Sequence, residues 1–194
     1  REAVPASAEE AVARATEIGF PVALKVLSAE IQHKTEVGGV QLGLTDEAAV
    51  RAAYDTIVAG TGVANVLVQE MASGLELILG LKRDLVFGSM VLCGLGGIQA
   101  EVMRDVALRH APVDHATAAE MLEDLAGYAL LEGSRGSEPS DIQAVIEAIV
   151  ALSQLGARAA WIEELDVNPL MVGPRGQGCL VADALIVMGA PTPS

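Results

Sequence analysis

The sequence predicts an α+β fold with largely antiparallel sheets, divided between two lobes. Segments with the periodicity of amphipathic helices interleave with short runs rich in Val, Ile and Leu, which are typical of strands. Many neighbouring strand segments are joined by short links, which favour hairpins over the long crossovers that parallel strands require. A break near residue 62 separates the expected first lobe, residues 1–62, from a second lobe over residues 63–188 and a tail over residues 189–194.

Capping residues and apolar runs place the elements of the first part of the chain. Ser7 and Glu10 form a capping box, which predicts a first helix that continues to Ile18. A second helix is capped by Asp46, or by Thr45 before it. Apolar runs predict three strands in this part, which lie at residues 21–27, 39–44 and 65–70.

The later elements follow from the same signals. Residues 117–120 are expected to open or to reinforce a helix that ends near Leu125, and residues 127–139 are expected to be irregular because they are rich in glycine. A capping box at Ser140 begins a further helix. Its apolar residues at helical spacing predict its core-facing side: Ile142, Val145, Ile146, Ile149 and Leu152. Strands are predicted at residues 75–82, 89–93, 100–103 and 107–111.

Composition and charge restrict the classes of partner. The 194 residues are 52% hydrophobic but only 3% aromatic, so the core is expected to be aliphatic. A formal net charge of -14 argues against nucleic acids and anionic membranes, which attract basic surfaces. The sequence contains no apolar run of the ~18 residues that span a bilayer, and its N-terminus lacks a signal-peptide pattern. Cys93 and Cys179 show no metal-ligand spacing, which indicates free thiols and a reducing, cytoplasmic compartment.

The C-terminal part of the sequence predicts a polar hairpin. Glu164, Asp166 and Asn168 alternate along one expected strand, so their side chains should share a face. Residues 173–177 have the glycine and proline content of a turn, and residues 178–188 form the expected second strand.

The register of this hairpin suggests a metal site. If the chain reverses at Arg175 and Gly176, Asn168 lies directly opposite Asp183. The two Cβ atoms would then be roughly 5 Å apart, close enough to share one ion. A carboxylate and an amide oxygen suit Mg²⁺, which keeps some water and binds phosphate oxygens. The alternative is a hairpin with polar residues on a solvent-exposed face.

Two cationic segments are candidates for phosphate chemistry. Lys25 lies within an apolar strand, where a lysine needs an anionic partner or an edge position. That partner can be a nucleotide phosphate or a nearby Glu, and the sequence leaves both open. His33 and Lys34 precede Gly38 and Gly39, whose backbone N–H groups can approach phosphate closely. His33 is therefore a candidate carrier of a phosphoryl group, with a solvated loop as the alternative.

Three further residues are candidates for nucleotide binding. Glu70 and Met71 form the polar end of an apolar strand, where the backbone can hydrogen-bond to an adenine edge. Glu76 follows them and can hold ribose hydroxyls. An ordinary strand end and a surface charge are the respective alternatives.

Taken together, these segments resemble the ATP-grasp domain of the NDP-forming acyl-CoA synthetases. That group includes ADP-forming acetate–CoA ligase and, more distantly, the nucleotide-binding subunit of succinyl-CoA synthetase. The resemblance extends from about Ser7 to Met188, and its segments occur in the family's order: FPVALKV, IQHKTEVGGVQLGL, VLVQEM, LILGLKRD, FGSMVLCGLGGI, EVMRDVALRHAPV, LLEGSRG and IEELDVNPLMV.

The resemblance implies an ATP-grasp fold in which two α+β lobes enclose a nucleotide cleft, with the first lobe lacking its N-terminal part. It implies that Lys25 holds nucleotide phosphates, that Glu70 is the acid at the adenine hinge, and that Glu76 lies near the ribose. It also implies that Asn168 and Asp183 are magnesium ligands.

The resemblance further implies the nucleotide-binding half of an ADP-forming acid–CoA ligase. Acyl-CoA, phosphate and ADP would interconvert with free acid, CoA and ATP, with His33 relaying the phosphoryl group. The implied cofactors are Mg²⁺ and ATP or ADP. The implied partners are CoA-binding and ligase domains, fused or separate, without which the chain is expected to be inactive. One alternative is a regulatory domain of a protein lysine acetyltransferase that senses ATP or acyl-CoA without turnover. A carboxylate–amine ligase of the same fold is less favoured.

Overall fold

The computed structural model describes residues 1–28, 30–31, 34–97, 105–133 and 138–189. The chain forms two compact units, Arg1–Met71 and Ala72–Ser194, and each has its own cluster of buried apolar side chains. The division differs from the expected break near residue 62, because a strand beyond that point pairs with strands of the first unit.

The first unit is an antiparallel sheet with two helices. Its strand order is β1–β4–β2–β3, so β2 is an interior strand, and all five of its residues are buried. Both helices share one apolar core with the sheet. The elements of this unit are β1 (Glu2–Ala3), α1 (Ala8–Ile18), β2 (Val22–Val26), β3 (Val40–Leu44), α2 (Glu47–Thr61) and β4 (Val66–Glu70).

The predicted helix starts in the first unit are confirmed. The Ser7 hydroxyl accepts the N–H of Glu10 at 3.2 Å, and the Asp46 carboxylate accepts the N–H of Ala49 at 2.8 Å. These acceptors satisfy N–H groups that have no partner within the first turn of a helix. Gly62 ends α2 with φ of 71°, a left-handed conformation that costs glycine little.

The second unit is built on a larger antiparallel sheet of order β10–β8–β5–β6–β7, with β9 also paired to β8. One face of this sheet packs against helices to form the second core. The elements are β5 (Leu75–Asp84), β6 (Gly88–Leu95), β7 (Val106–His110), α3 (His115–Glu123), α4 (Tyr128–Leu131), α5 (Ile142–Arg158), β8 (Ile162–Val172), β9 (Cys179–Val181) and β10 (Ala184–Met188).

The apolar stripe expected on α5 is confirmed at its centre. Val145 and Ile149 are fully buried, and Ile146 is 8% exposed. Within the described ranges, no helix is both long and apolar enough to cross a membrane. Cys93 and Cys179 are free thiols, as the sequence predicts.

Four local expectations need correction. Asp114 caps α3 by accepting the N–H of Thr117 at 2.8 Å, so the helix begins before Thr117. A short helix, α4, lies within the stretch expected to be irregular. Asp141, rather than Ser140, caps α5. The expected strand over residues 178–188 is divided into β9 and β10.

The division of that last strand has a local cause. Pro169 lies opposite the interruption and has no N–H to donate to the ladder. Its carbonyl still accepts the N–H of Ala182 at 3.0 Å, so the backbones stay adjacent across the gap. The strand expected at residues 100–103 lies outside the described residues.

Candidate functional site

The turn of the C-terminal hairpin lies where the sequence predicts it. Leu170 pairs with Val181, and Val172 pairs with Cys179, which centres the turn between Arg175 and Gly176. Two backbone hydrogen bonds close this turn: Gly173 N–H to Gly178 O at 3.0 Å and Gln177 N–H to Pro174 O at 2.9 Å. The expected reversal of the chain is therefore confirmed.

The register beyond the turn places Asn168 opposite Asp183. The ladder resumes with Ala184 opposite Val167, in the same register as the pairs near the turn. Between these pairs, the Asn168 N–H donates to the Asp183 carbonyl at 3.1 Å. Residues directly opposite on antiparallel strands project from the same face, with Cβ atoms roughly 5 Å apart. The predicted juxtaposition of these two residues is confirmed, while their role as metal ligands stays a prediction.

Asp166 and Asn168 project from the face of the sheet opposite the helix-packed core. Leu165 and Val167, which alternate with them, are 5% and 7% exposed and belong to that core. On β5, the residue opposite Asp166 is Gly80, whose missing side chain leaves space on this face. The shared face expected from the alternation along β8 is therefore confirmed.

Negative charge is concentrated on this face. Burial raises the pKa of Asp166 above its usual value, and the nearby charges of Glu164 and Asp183 raise that pKa further. Lys82 contacts Glu164 across the β5–β8 pair and offsets part of this charge. The cluster is thus acidic on balance, which favours cations.

The donor groups on this face fit a hard divalent cation. Asp183 supplies carboxylate oxygens and Asn168 supplies an amide oxygen, and Mg²⁺ prefers oxygen ligands of these kinds. Among the described residues, no group of three or more His, Cys, Asp and Glu side chains is arranged to hold a metal. A cation held by Asn168 and Asp183 therefore needs further oxygen ligands, such as water or phosphate.

Glu76 lies on β5 directly against a glycine turn. The Gly96 N–H donates to the Glu76 carbonyl at 2.7 Å, and a Cβ added to Gly96 would lie 2.9 Å from the Glu76 Cβ. A Cβ on Gly97, which has φ of +80°, would lie 3.4 Å from the Glu76 carboxylate. A side chain at position 96 would clash with Glu76, so glycine is required there beside this predicted ribose ligand. Sequence reasoning did not connect Gly96 and Gly97 with Glu76, because the three residues meet only in the folded sheet.

Lys25 is almost fully buried on the interior strand β2. The residue is only 8% exposed, and its Nζ donates a hydrogen bond to Gln69 Oε1 at 2.9 Å. Gln69 in turn donates through Nε2 to Glu2 at 3.1 Å. The structure therefore rules out the edge position considered for Lys25. Sequence reasoning missed Gln69, which pairs with Ala23, two residues before Lys25.

Glu70 and Met71 already have partners within the first unit. The Arg1 guanidinium reaches both Glu70 carboxylate oxygens, at 3.1 and 3.2 Å. The hydrogen bond from the Arg1 side chain is the largest cause that lowers the pKa of Glu70 to about 2. The N–H groups of Glu70 and Met71 donate to Arg1 O at 2.9 Å and Pro21 O at 3.4 Å. Adenine recognition through these two N–H groups would require them to exchange partners.

His33 lies outside the described residues, but the loop that follows it is anchored beside Lys25. The Gly39 N–H donates to the Lys34 carbonyl at 2.7 Å, and the Gly39 carbonyl accepts the Val26 N–H at 2.7 Å. A Cβ on Gly39 would lie 2.6 Å from a Val26 methyl group. The loop therefore returns to β2 at the residue after Lys25, and the close approach requires glycine.

The chain matches the profile of the ATP-grasp domain over residues 1–188. It is 42% identical over 185 residues to the 4-hydroxybutyrate–CoA ligase (ADP-forming) of Nitrosopumilus maritimus. The alignment covers 91% of this chain and 26% of that protein. It is 36% identical over 170 residues to the acetate–CoA ligase (ADP-forming) I subunit beta of Pyrococcus furiosus, covering 84% of this chain and 73% of that subunit. The chain spans about a quarter of the length of the single-chain ligases it matches.

Solved structures of similar proteins have the same fold. The Ca. Korarchaeum cryptofilum dinucleotide forming acetyl-coenzyme A synthetase 1, bound to coenzyme A and Ca-AMPCP, superposes with a TM-score of 0.90 at 40% identity. That match covers 97% of this chain and 85% of that chain. Another structure of the same synthetase contains Mg-AMPPCP and a phosphohistidine segment that points towards the nucleotide binding site, with a TM-score of 0.81, 40% identity and coverage of 96% and 84%.

Proposed function

Because the chain belongs to the ATP-grasp domain family, we propose that it is the nucleotide-binding part of an ADP-forming acid–CoA ligase. It transfers a phosphoryl group between ATP or ADP and a phosphohistidine, and the complete enzyme couples this step to the interconversion of acyl-CoA with free acid and CoA. The observation that carries the proposal is the 42% identity, over 91% of this chain, to a protein named as such a ligase.

The nucleotide and the cation are assigned from the site residues. Asn168 and Asp183 hold Mg²⁺, Lys25 binds the phosphates, Glu70 and Met71 meet the adenine, and Glu76 meets the ribose. When bound, Mg²⁺ neutralises charge on the transferring phosphate and orients it. The Mg-AMPPCP and Ca-AMPCP bound to the similar Korarchaeum synthetase support both ligands.

His33 is the proposed phosphoryl carrier. Its imidazole nitrogen attacks the γ-phosphorus of ATP, the bond from that phosphorus to the bridging oxygen breaks, and ADP leaves. Lys34 and Lys25 offset charge near the transferring group. The anchoring of the loop at Val26 supports this role, because it holds Gly39, which lies six positions after His33 in the sequence, beside the strand that carries the proposed phosphate ligand Lys25.

The proposed partners are CoA-binding and ligase domains. The single-chain relatives are about four times as long as this chain, and the Pyrococcus relative is one subunit of an enzyme. Both arrangements supply the remaining chemistry from outside this region, so the isolated chain is expected to be inactive. The relatives named above are ligases and synthetases, and they do not support the alternative of a sensing domain on an acetyltransferase.

The proposal is tested with the complete enzyme, γ-labelled ATP and Mg²⁺. The wild-type enzyme should bind ADP with Mg²⁺ in calorimetry and take up label. His33→Ala should keep ADP binding but lose the label and turnover. Lys25→Met should weaken ADP binding about tenfold or more, since a hydrogen bond to a charged group contributes about 1.5–3 kcal/mol.

Arg14→Met is the matched control for the lysine variant. Arg14 lies on α1 and pairs with Glu10 and Glu17 at the surface, so its loss should leave ADP affinity unchanged. Undiminished labelling and turnover in His33→Ala would refute the phosphoryl relay. Equal ADP affinity in Lys25→Met and Arg14→Met would refute the phosphate role of Lys25.

A further inference from the structure

The Asp141 carboxylate joins the start of α5 to the turn of the C-terminal hairpin. One carboxylate oxygen accepts the N–H of Ala144 at 3.4 Å, which caps the helix. The other accepts the N–H groups of Gly176 and Gly178 at 2.9 and 2.8 Å. A single side chain therefore satisfies one donor at the helix start and two donors in the turn, which lie 35 and 37 positions further along the chain.

Backbone contacts dock the same turn on residues next to Asp141. The Asp141 N–H donates to the Gly173 carbonyl at 2.8 Å, and the Arg175 N–H donates to the Pro139 carbonyl at 2.9 Å. Ser140 and Pro174 form an isolated antiparallel bridge. Backbone hydrogen bonds lower the pKa of Asp141, and the bond from the Gly178 N–H is the largest cause. The carboxylate is therefore ionised at neutral pH. Hydrogen bonds to an ionised acceptor are the stronger kind.

The docked turn lies at the end of the hairpin where the ladder is shortest. A slip of one residue would move every side chain of a strand to the other face of the sheet. Here β9 has only three residues, and the ladder is interrupted before β10 begins. Gly176 and Gly178 have φ of 82° and 77°, and glycines leave a turn many alternative conformations. The pairs of β9 and of β10 share one register, and the docked turn adds a restraint on the side of the interruption where only the three pairs of β9 hold the ladder.

Asp141 acts at a distance from the proposed metal. Asn168 is four residues before Val172, the last residue of β8, which is roughly 13 Å along a strand. We propose that Asp141 is a positioning residue for the metal site: its carboxylate fixes the turn at residues 173–178 and thereby keeps Asn168 opposite Asp183. This inference rests on the proposed function, because it concerns the cation assigned there.

The test distinguishes the role of Asp141 in fixing the turn from its role as the cap of α5. Asp141→Ser keeps a good cap acceptor, but its single short hydroxyl cannot serve Ala144, Gly176 and Gly178 together. Asp114→Ser is the matched control, because Asp114 caps α3 through Thr117 in the same unit. In the complete enzyme, hydrogen–deuterium exchange is followed on peptides that cover residues 173–178 and 164–168. Binding of Mn²⁺, a hard-cation probe for Mg²⁺, is measured in the presence of ADP.

Asp141→Ser should exchange faster in both peptides and bind Mn²⁺ about 10–100-fold more weakly, which is the usual effect of losing a residue that orients metal ligands. Asp114→Ser should match the wild type in both measurements. Asp141→Thr, which also keeps a cap acceptor but has only one short hydroxyl for the three N–H groups, is the second variant if the serine variant does not fold, and it should weaken Mn²⁺ binding too.

Wild-type Mn²⁺ affinity in a folded Asp141 variant would overturn the inference. A wild-type enzyme that binds neither ADP nor Mn²⁺ would contradict the proposed function instead. In that case, unchanged exchange at residues 173–178 in Asp141→Ser would still overturn the claim that Asp141 holds the turn.

Discussion

Buried polar side chains in this protein are satisfied by a few hydrogen bonds each. Ser153 is fully buried, and it donates to the Val150 carbonyl at 2.8 Å while accepting the Val113 N–H at 3.1 Å. The amide oxygen of Gln69 replaces part of the hydration that the Lys25 ammonium loses on burial. Such bonds offset the desolvation of the polar group, so Ser153 and Lys25 each depend on a neighbour that is remote in sequence.

Glu70 provides a test of electrostatics at the residue scale. Arg1→Ala should raise the pKa of Glu70 from about 2 towards its ordinary value of 4.5, because the largest cause of the low pKa is the Arg1 hydrogen bond. A pKa lowered by folding means that the pair stabilises the fold above about pH 4.5 and loses this effect as the pH falls towards 2. The measurement is an NMR titration of the Glu70 side chain.

Arg14→Ala is the control for this titration, since Arg14 pairs with Glu10 and Glu17 rather than with Glu70. It should leave the Glu70 titration unchanged. A Glu70 pKa that remains near 2 in Arg1→Ala would show that another group keeps the carboxylate ionised.

At the scale of elements, close backbone contacts define where β5 begins. Gly74 precedes β5 with φ of 141°, and a Cβ at this position would lie 2.1 Å from the Val172 carbonyl oxygen of β8. Neither the backbone of β8 nor the conformation of Gly74 can accommodate a side chain. The end of β8 and the start of β5 are therefore packed backbone to backbone.

Gly74→Ala should destabilise the protein by about 2–4 kcal/mol, since it combines backbone strain with a clash against another backbone. Gly88→Ala is the matched comparison, because Gly88 also has a positive φ, of 77°, but no atom lies within 4 Å of an added Cβ. It should cost only about 1–2 kcal/mol, the strain of a left-handed conformation. Denaturant unfolding measures both. Equal losses of stability would mean that the contact with Val172 relaxes without cost.

At the scale of the whole molecule, the two units have separate apolar cores. Ile57 lies in the core of the first unit and Ile149 in that of the second, and both are fully buried. A cavity in one core removes packing only from the elements that share it. The two cores should therefore respond independently to core substitutions.

Ile57→Ala should lower the stability of its unit by about 2–5 kcal/mol. Hydrogen–deuterium exchange should then accelerate in residues 1–71 and stay unchanged in β5 and α5. Ile149→Ala should produce the reverse pattern. Acceleration throughout the chain in either variant would show that the two units unfold as one cooperative body.

Local signals were sufficient for most elements and for part of the site. Caps such as Ser7 and Asp46 act within one helical turn, and the alternation along β8 reflects a period of two residues. The hairpin register was predictable because a short turn links its two strands. The register of Asn168 and Asp183 therefore followed from the sequence.

The sequence by itself determined the helices, most of the strands, the terminal hairpin and the residue types available for nucleotide chemistry, because these depend on near neighbours along the chain. Only the tertiary structure decided that Gln69 meets Lys25, that Arg1 meets Glu70, and that Asp141 holds the hairpin turn. These partners are separated by 44, 69 and 35 positions. Contacts over such distances depend on strand order and register across a whole sheet, which no local pattern specifies.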